Sequence, residues 1–389
     1  MRRLRAFLAL SYVSCVAGSI FLGGCPAPHP EAATDVGRAD DAGTSDAGTS
    51  DAGTSDAGTS DAGTITQVAF NDIWISSTTG TYVRSATTTV AFEGGPFSSV
   101  SLNIQLTSPC FPWSNWTTDL PPSGQDWPAN CDAFDRNFDF TFDPAQASSD
   151  PPGFNVVHAI TPFGGPETLN EDITDLANAL PGMHTLQVVI PTYSDGAGMS
   201  TGSAGGWYVT ATIVATPGTP PRKVLAALPL ALTTSSPITQ APIPFTVPAG
   251  TTSARLEMRT SGHGGVSTSD SNCIGPAEEF CHRQLTVDVD GTALSAIDPW
   301  RTDCANYCTI ATGGPLGDSI QYCQQNPCGS IQSVEAPRAN WCPGSETAPF
   351  VWDATALDTP GQHQLTWTFS TIVSGGNWDV SAIYYAYGD

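Results

Sequence analysis

Positive charge is scarce in this chain of 389 residues. Lys223 is its one lysine, and 13 basic residues face 37 acidic ones, for a net charge of -24. Setting aside Glu31, seven Asp and four Arg before residue 66 leaves 29 acids against nine bases in residues 66–389. Such a field repels nucleic acid and anionic membrane surfaces, which excludes both as partners, and leaves neutral polar ligands such as sugars open. Closely spaced histidine pairs are missing as well: His158, His184 and His363 lie apart in strand-like segments, so no metal site is predicted. The sequence holds no H-E-x-x-H, no G-x-S-x-G, no phosphate-binding loop and no dinucleotide fingerprint. Helical periodicity is nearly absent too. EDITDLANALPG alone, with Ile173, Leu176 and Leu180 on one face before Pro181-Gly182, predicts a turn or two of helix.

The N-terminus is not expected to join the fold. Arg2, Arg3 and Arg5 precede an apolar run, Ala6 to Leu22, too short for a membrane span, which stops at Leu22-Gly23-Gly24-Cys25. Residues 1–25 have the shape of a lipoprotein signal with Cys25 lipidated; an ordinary signal peptide with a chance cysteine is the alternative. The chain is therefore expected to be exported and lipid-anchored at a bacterial cell envelope or surface, touching the membrane through the anchor alone. In residues 26–65, DAGT recurs five times at a spacing of five from Asp41. Lacking anything to fill a core, this segment is predicted to be a disordered tether; one Asp per five residues is too sparse for a calcium-binding repeat.

Strand signals dominate the rest. TYVRSATTTVAF, VSLNIQLT, HTLQVVIP and GWYVTATIVA alternate apolar and polar residues and stop at Gly, Pro or Asn. After the proline-rich ATPGTPPRK come TSARLEMRTSG, QLTVDVDG, HQLTWTFSTI and WDVSAIYYAY. The expected architecture is all-β: residues 66–216 and 224–389 form two antiparallel sandwiches or jelly rolls side by side, joined by a linker at 217–223. The glycines of SGHGG are expected to form a loop.

Eleven cysteines, nine of them beyond Cys15 and Cys25, predict disulfides in an exported chain, and the odd total leaves one over. Structural zinc is the other use of Cys323-x4-Cys328, but no matching second pair lies beside it. Carboxylates or arginines recur next to cysteines: Cys131-Asp132-Ala133-Phe134-Asp135-Arg136, Glu278-Glu279-Phe280-Cys281, and Arg338-Ala339-Asn340-Trp341-Cys342-Pro343-Gly344. A disulfide fixes neighbouring backbone, one way to hold a catalytic side chain on a loop.

These blocks, with Ser261-Gly-His-Gly-Gly265 and Pro299-Trp-Arg-Thr-Asp-Cys304, resemble peptide-N-glycosidase F in order and largely in wording, over roughly residues 66–389. The resemblance implies two eight-stranded jelly rolls with the active site between them. It also implies a monomeric hydrolase, with no cofactor and no metal, that cleaves the amide joining a glycan's first N-acetylglucosamine to asparagine. N-glycosylated proteins or glycopeptides are then the partners. By the same resemblance Asp135, Glu279 and Arg338 are the catalytic residues, and Asp132, Tyr193, His263 and Trp341 contact substrate. Trp300 and Trp207 are further candidates for stacking on sugar rings. Implied bridges are Cys110–Cys131, Cys273–Cys281 and Cys304–Cys342; Cys323–Cys328 is the expected fourth, leaving Cys308.

The chemistry is coherent. Amide hydrolysis needs a carboxylate to activate water, a second polar group to position or protonate the substrate, and a cation on the oxyanion. Asp135, Glu279 through a bound water, and Arg338 suit those roles. Where the family carries a glutamate and a tryptophan on a first-domain strand, Pro191 and Tyr193 stand here. A non-catalytic surface module binding carbohydrate or protein is therefore the alternative function. A copper-dependent peptidylglycine-type monooxygenase shares the fold design, but its clustered histidine and methionine ligands are missing.

Overall fold

The computed structural model describes residues 63–389 except 79, 235, 236, 268 and 316, together with the backbone strand Thr59–Ser60. The expected signal, lipidated Cys25 and nearly all of the repeat segment lie outside the described residues.

The described chain is almost wholly antiparallel β-structure in two sandwiches. In the first, one sheet places the strands Thr64–Ser76, Gly206–Pro217, Phe97–Thr107 and Glu167–Asp172 side by side, edged by short pieces. The facing sheet runs Phe154–Ile160, Asn137–Phe142, Gly182–Val189, Ser85–Phe92. In the second domain, Lys223–Thr233, Ser374–Gly388, Ser253–Val266 and Phe350–Trp352 face Ile243–Val247, Gly361–Phe369, Leu285–Val289 and Thr292–Ile297. Each domain thus has eight principal strands arranged four against four, the jelly-roll count. The helical hint becomes the short helix Thr174–Ala179, which seats Leu176 and Ala177 in the first core.

The strand Ser374–Gly388 explains why the sandwiches stay together. Val380, Ala382, Tyr384 and Ala386 face the second domain's core, whereas the alternate Ile383, Tyr385 and Tyr387 enter the first. A strand buried on both faces has no solvent side to alternate toward, so its later part, Ala382 to Tyr387, is a continuous run without charged residues. Polar contacts follow the same seam. Asp175 accepts from Arg222 Nη2 at 2.5 Å, Arg255 Nη2 at 3.0 Å and Tyr387 Oη at 2.7 Å. Ser345–Glu346, from the second domain, pairs with Phe154–Ile160 of the first and adds a strand to its sheet.

The SGHGG glycines are not a loop. They end the strand Ser253–Val266, with Gly262 opposite Trp378 and His263 opposite Asn377. Gly262 is required by close packing, since a Cβ there would lie 2.8 Å from Ala339 Cβ and 3.0 Å from the Trp378 ring. Gly264 and Gly265 take φ of +65° and +73° within the end of that strand, a backbone conformation that favours glycine.

Four disulfides are present among the described residues: Cys110–Cys131, Cys273–Cys281, Cys304–Cys342 and Cys308–Cys323. The fourth corrects the expected Cys323–Cys328 bridge. Cys308 and Cys323 flank a small antiparallel pair, Ile310–Thr312 with Gln321–Cys323, which brings their Cα atoms to 4.5 Å. Cys328, beyond that hairpin, is instead a buried thiol outside the four bridges.

Candidate active site

Asp135 sits on a loop fixed from several sides. The buried Cys110–Cys131 bridge holds its start, and Thr201 Oγ1 accepts from Ala133 N at 3.0 Å while donating to Cys131 O at 3.0 Å. Arg136 closes the loop, its Nε and Nη2 each 2.9 Å from the Asp132 carboxylate, with its backbone N–H donating to Thr161 Oγ1 at 2.9 Å. The side chain between these anchors is left facing a cavity.

Glu279 is placed by its neighbour. Glu278 is fully buried and its carboxylate accepts four hydrogen bonds: Arg283 Nε at 2.9 Å, Arg283 Nη2 at 3.0 Å, Trp378 Nε1 at 2.8 Å and Val373 N at 2.9 Å. That anchor and the Cys273–Cys281 bridge fix the single turn Glu278–Phe280, so Glu279 projects the other way. Ala339 N donates to Glu279 O at 2.8 Å, which brings in the segment bearing Arg338.

Arg338 is 1% exposed. Its Nη2 donates to Ser333 O at 2.9 Å and Ser333 Oγ at 3.0 Å, and its guanidinium carbon lies 4.7 Å from the Phe280 ring centre and 4.3 Å from that of Trp341. Nη1 lies 3.3 Å from Glu279 Oε1, but neither Nη1 nor Nε makes a well-directed hydrogen bond. Buried donors with capacity left over are what an incoming carbonyl oxygen or oxyanion needs.

The three residues line one cavity of about 220 Å³ together with Phe134, Phe163, Ser200, Cys328, Ser330 and Ser333. Burial raises the Glu279 carboxyl to about 7; Arg338 opposes the shift and the Asp135 charge adds to it. Burial also raises Asp135, against the pull of Arg338 and Arg136. Burial thus lifts both carboxyls beside the one buried arginine, and Glu279 is placed to exchange a proton near neutral pH.

The other expected substrate contacts are placed differently. Asp132 has no exposed surface, and its carboxylate is paired with Arg136, so it positions the Asp135 loop and does not reach a ligand. Trp341 is 1% exposed, donates Nε1 to Gly262 O at 2.9 Å and packs between Arg338 and His263; it supports the site from behind and offers no sugar platform. His263 is stacked on Trp341 in the seam between the domains, outside the cavity lining. Tyr193 is about half exposed, with the Arg136 guanidinium 5.9 Å from its ring centre, and is also outside that lining. Trp207 is fully buried in the first core, which rules out stacking on a sugar, and Trp300 is stacked on His282.

Ser330, Ser333, Phe163 and Ser200 went unnoticed in the sequence, where Cys328 stands only as an expected disulfide partner. Ser330 did leave a signal there: Ser-x-x-Ser opening a short polar run is a helix N-cap, and its Oγ accepts from Ser333 N at the start of Ile331–Glu335. The pocket-lining role of the others has no local signature.

Comparison with known proteins places this arrangement. The family model described as Peptide-N-glycosidase F, C terminal, matches residues 233–385, nearly the whole second domain. A search of the curated proteins finds no match. Among solved structures, PNGF-II is similar with a TM-score of 0.62 at 18% identity, over 83% of this chain and 66% of that one, so the chain spans less than the full length of that relative. A peptide-N(4)-(N-acetyl-β-D-glucosaminyl) asparagine amidase is similar at 0.59 and 17%, over 84% of this chain and 96% of that one. PNGase F from Flavobacterium meningosepticum, described as a glycosylasparaginase, gives 0.59 and 16% over the same shares. At these identities the likeness is one of fold, and it extends over both domains.

Proposed function

Taking as premise that the second domain belongs to the peptide-N-glycosidase F family and that the whole chain has that family's two-domain β fold, we propose that the protein hydrolyses the amide between the first N-acetylglucosamine of an N-linked glycan and asparagine. The products are aspartate and a glycosylamine. One observation carries the reading: Asp135 from the first domain and Glu279 and Arg338 from the second line a single cavity.

In the proposed reaction the substrate carbonyl oxygen meets the unused donors of Arg338, Nε and Nη1. Asp135 takes a proton from a water molecule as it attacks the amide carbon, and the oxyanion is held by the guanidinium. The carbon–nitrogen bond then breaks, and Glu279, whose carboxyl titrates at about 7, returns a proton to the departing glycosylamine. Stacked between Trp341 and Phe280, Arg338 is positioned before substrate arrives, so little reorganisation is needed during the reaction. We place this activity on an exported chain, tethered by lipid at Cys25 and acting as a monomer.

Incubating the soluble domain with a labelled N-glycopeptide and measuring peptide mass tests the reading. Release of glycan with asparagine converted to aspartate is expected. Glycan binding without conversion, across several glycopeptides, would instead favour a non-catalytic carbohydrate-binding module.

A further inference from the structure

Away from the cavity, two histidines and an aspartate from both domains converge in the seam. His158, on the first-domain strand Phe154–Ile160, points Nε2 at Ser261 Oγ, 2.6 Å away. The same hydroxyl lies 2.6 Å from His263 Nε2, and that nitrogen is 3.8 Å from Asp379 Oδ2. The ligating atoms of His158, His263 and Asp379 all fall within 4.8 Å of one another. Ser261 has no exposed surface, His158 is 5% and Asp379 7% exposed, and a cavity of about 20 Å³ opens beside them, lined by Asp139, His158, Arg259 and Asp379.

Asp139 Oδ1 lies 2.7 Å from His158 Nδ1. Together with Ser261 this gives the spacing of a nucleophile, base and orienting acid, but the hydroxyl is sealed off and no substrate can reach it. The carboxylate does have another consequence. It holds the proton on Nδ1 and leaves the Nε2 lone pair directed at the cluster, the partnership found behind metal-ligating histidines. Asp379 is oriented in turn by Asn137 Nδ2 on one oxygen and by Asn377 Nδ2 at 3.4 Å on the other. Two carboxylates, Asp139 and Asp379, thus share one buried patch. Arg259, the guanidinium beside them, is committed to Glu171 through Nη2 at 2.5 Å and faces Glu257 through Nη1 at 3.7 Å.

We propose that His158 Nε2, His263 Nε2 and Asp379 Oδ2 bind one first-row divalent cation at the domain seam, zinc by preference, with Ser261 Oγ as a fourth donor. Two neutral imidazoles with carboxylate and hydroxyl oxygen form a donor set suited to tetrahedral zinc. The two positive charges of the ion offset the carboxylates of Asp379 and Asp139. Bonds of about 2.0–2.2 Å place tetrahedral ligand atoms about 3.3 Å apart, so His263 and Asp379, now at 3.8 Å, must draw in by roughly half an ångström while Ser261 Oγ, at 2.6 Å from both imidazoles, backs off by slightly more, within reach of small torsion changes. The ion clamps the two sandwiches, and because the His263 ring stacks on Trp341, it also fixes the aromatic wall behind Arg338.

Metal-stripped soluble protein, dialysed against a slight excess of zinc and then analysed for bound metal, is expected to retain one ion per chain and to melt at a higher temperature than the stripped form. Asp379→Asn and His158→Gln should lose both the retained ion and the shift in melting temperature. Equal retention and equal shift in wild type and variants would overturn the proposal. Should the variants not fold, zinc X-ray absorption on the wild-type protein decides alone. A shell of nitrogen and oxygen with scattering from two imidazoles supports the site, and failure to retain zinc, or a shell lacking the two imidazoles, refutes it.

Discussion

Arg338 Nη1 stands 3.3 Å from Glu279 Oε1 while Nη2 of the same guanidinium is fully used by Ser333. One end of the arginine is therefore locked to the scaffold, and the other is shared between a carboxylate and whatever enters the cavity. This division makes Arg338 both a structural and a chemical element, and it sets the expectations that follow.

Asp135→Asn keeps the shape of the side chain and removes its basicity. If Asp135 activates water, release of glycan should fall by about 10²–10⁴-fold, the usual contribution of a general base. The melting temperature should hardly change, because the loop is anchored by Asp132, Arg136 and Cys131. Turnover comparable with wild type would remove Asp135 from the mechanism.

Arg338→Lys retains a positive charge but not the planar fork. A lysine has one ammonium where the guanidinium has three nitrogens, and it cannot hold Ser333 while presenting donors to a carbonyl. We expect kcat to drop by about 10²–10³-fold, as for loss of an oxyanion donor, with a smaller change in KM. Steady-state kinetics on one glycopeptide distinguish this from a loss of binding alone.

Raised carboxyl groups make stability depend on pH in a stated direction. Glu279 titrates at about 7 against an ordinary 4.5, chiefly because of burial. Burial likewise lifts Glu171 to about 8, opposed by Arg259 and helped by Glu346. A carboxyl whose pKa is higher in the folded state binds its proton more tightly there. Its stabilisation is complete below about 4.5 and is lost as pH rises through the folded values, to about 7–8. Denaturant midpoints of wild type should fall across that window, and Glu279→Gln should flatten the part near 7. A profile unchanged by the substitution would show that Glu279 titrates normally.

Glu278→Gln addresses the anchor and not the chemistry. It leaves Arg283, itself without exposed side-chain surface, facing a neutral amide inside the protein. Breaking a buried ion pair in this way costs about 3–5 kcal/mol. Thermal melts should show a large drop. A loss within the error of the melts would mean that Asp270, which accepts from Arg283 Nη1 at 2.7 Å, suffices alone.

Much of this protein is legible one segment at a time. Alternation in VSLNIQLT and HQLTWTFSTI marks strands, because a half-buried strand repeats every two residues and the signal is local. SGHGG misleads for the same reason: its glycines resemble a loop, and only the packing of Ala339 and Trp378 against Gly262 shows why a strand needs them. Glu278 and Glu279 are indistinguishable in sequence. One becomes a core anchor and its neighbour a cavity carboxylate, because adjacent side chains of a tight turn point apart.

The sequence by itself determined the all-β class, since alternation belongs to each segment, and set carboxylates and an arginine beside cysteines, among which the family resemblance singles out Asp135, Glu279 and Arg338. Only the tertiary structure decided which of those groups meet. Asp135 and Glu279 share a cavity because Ser374–Gly388 buries both its faces and locks one sandwich against the other. The same locking turned Trp341 and Asp132 inward as supports and drew His158 and His263 together across the seam. Their exposure and partners depend on contacts between residues remote in sequence, which no local pattern records.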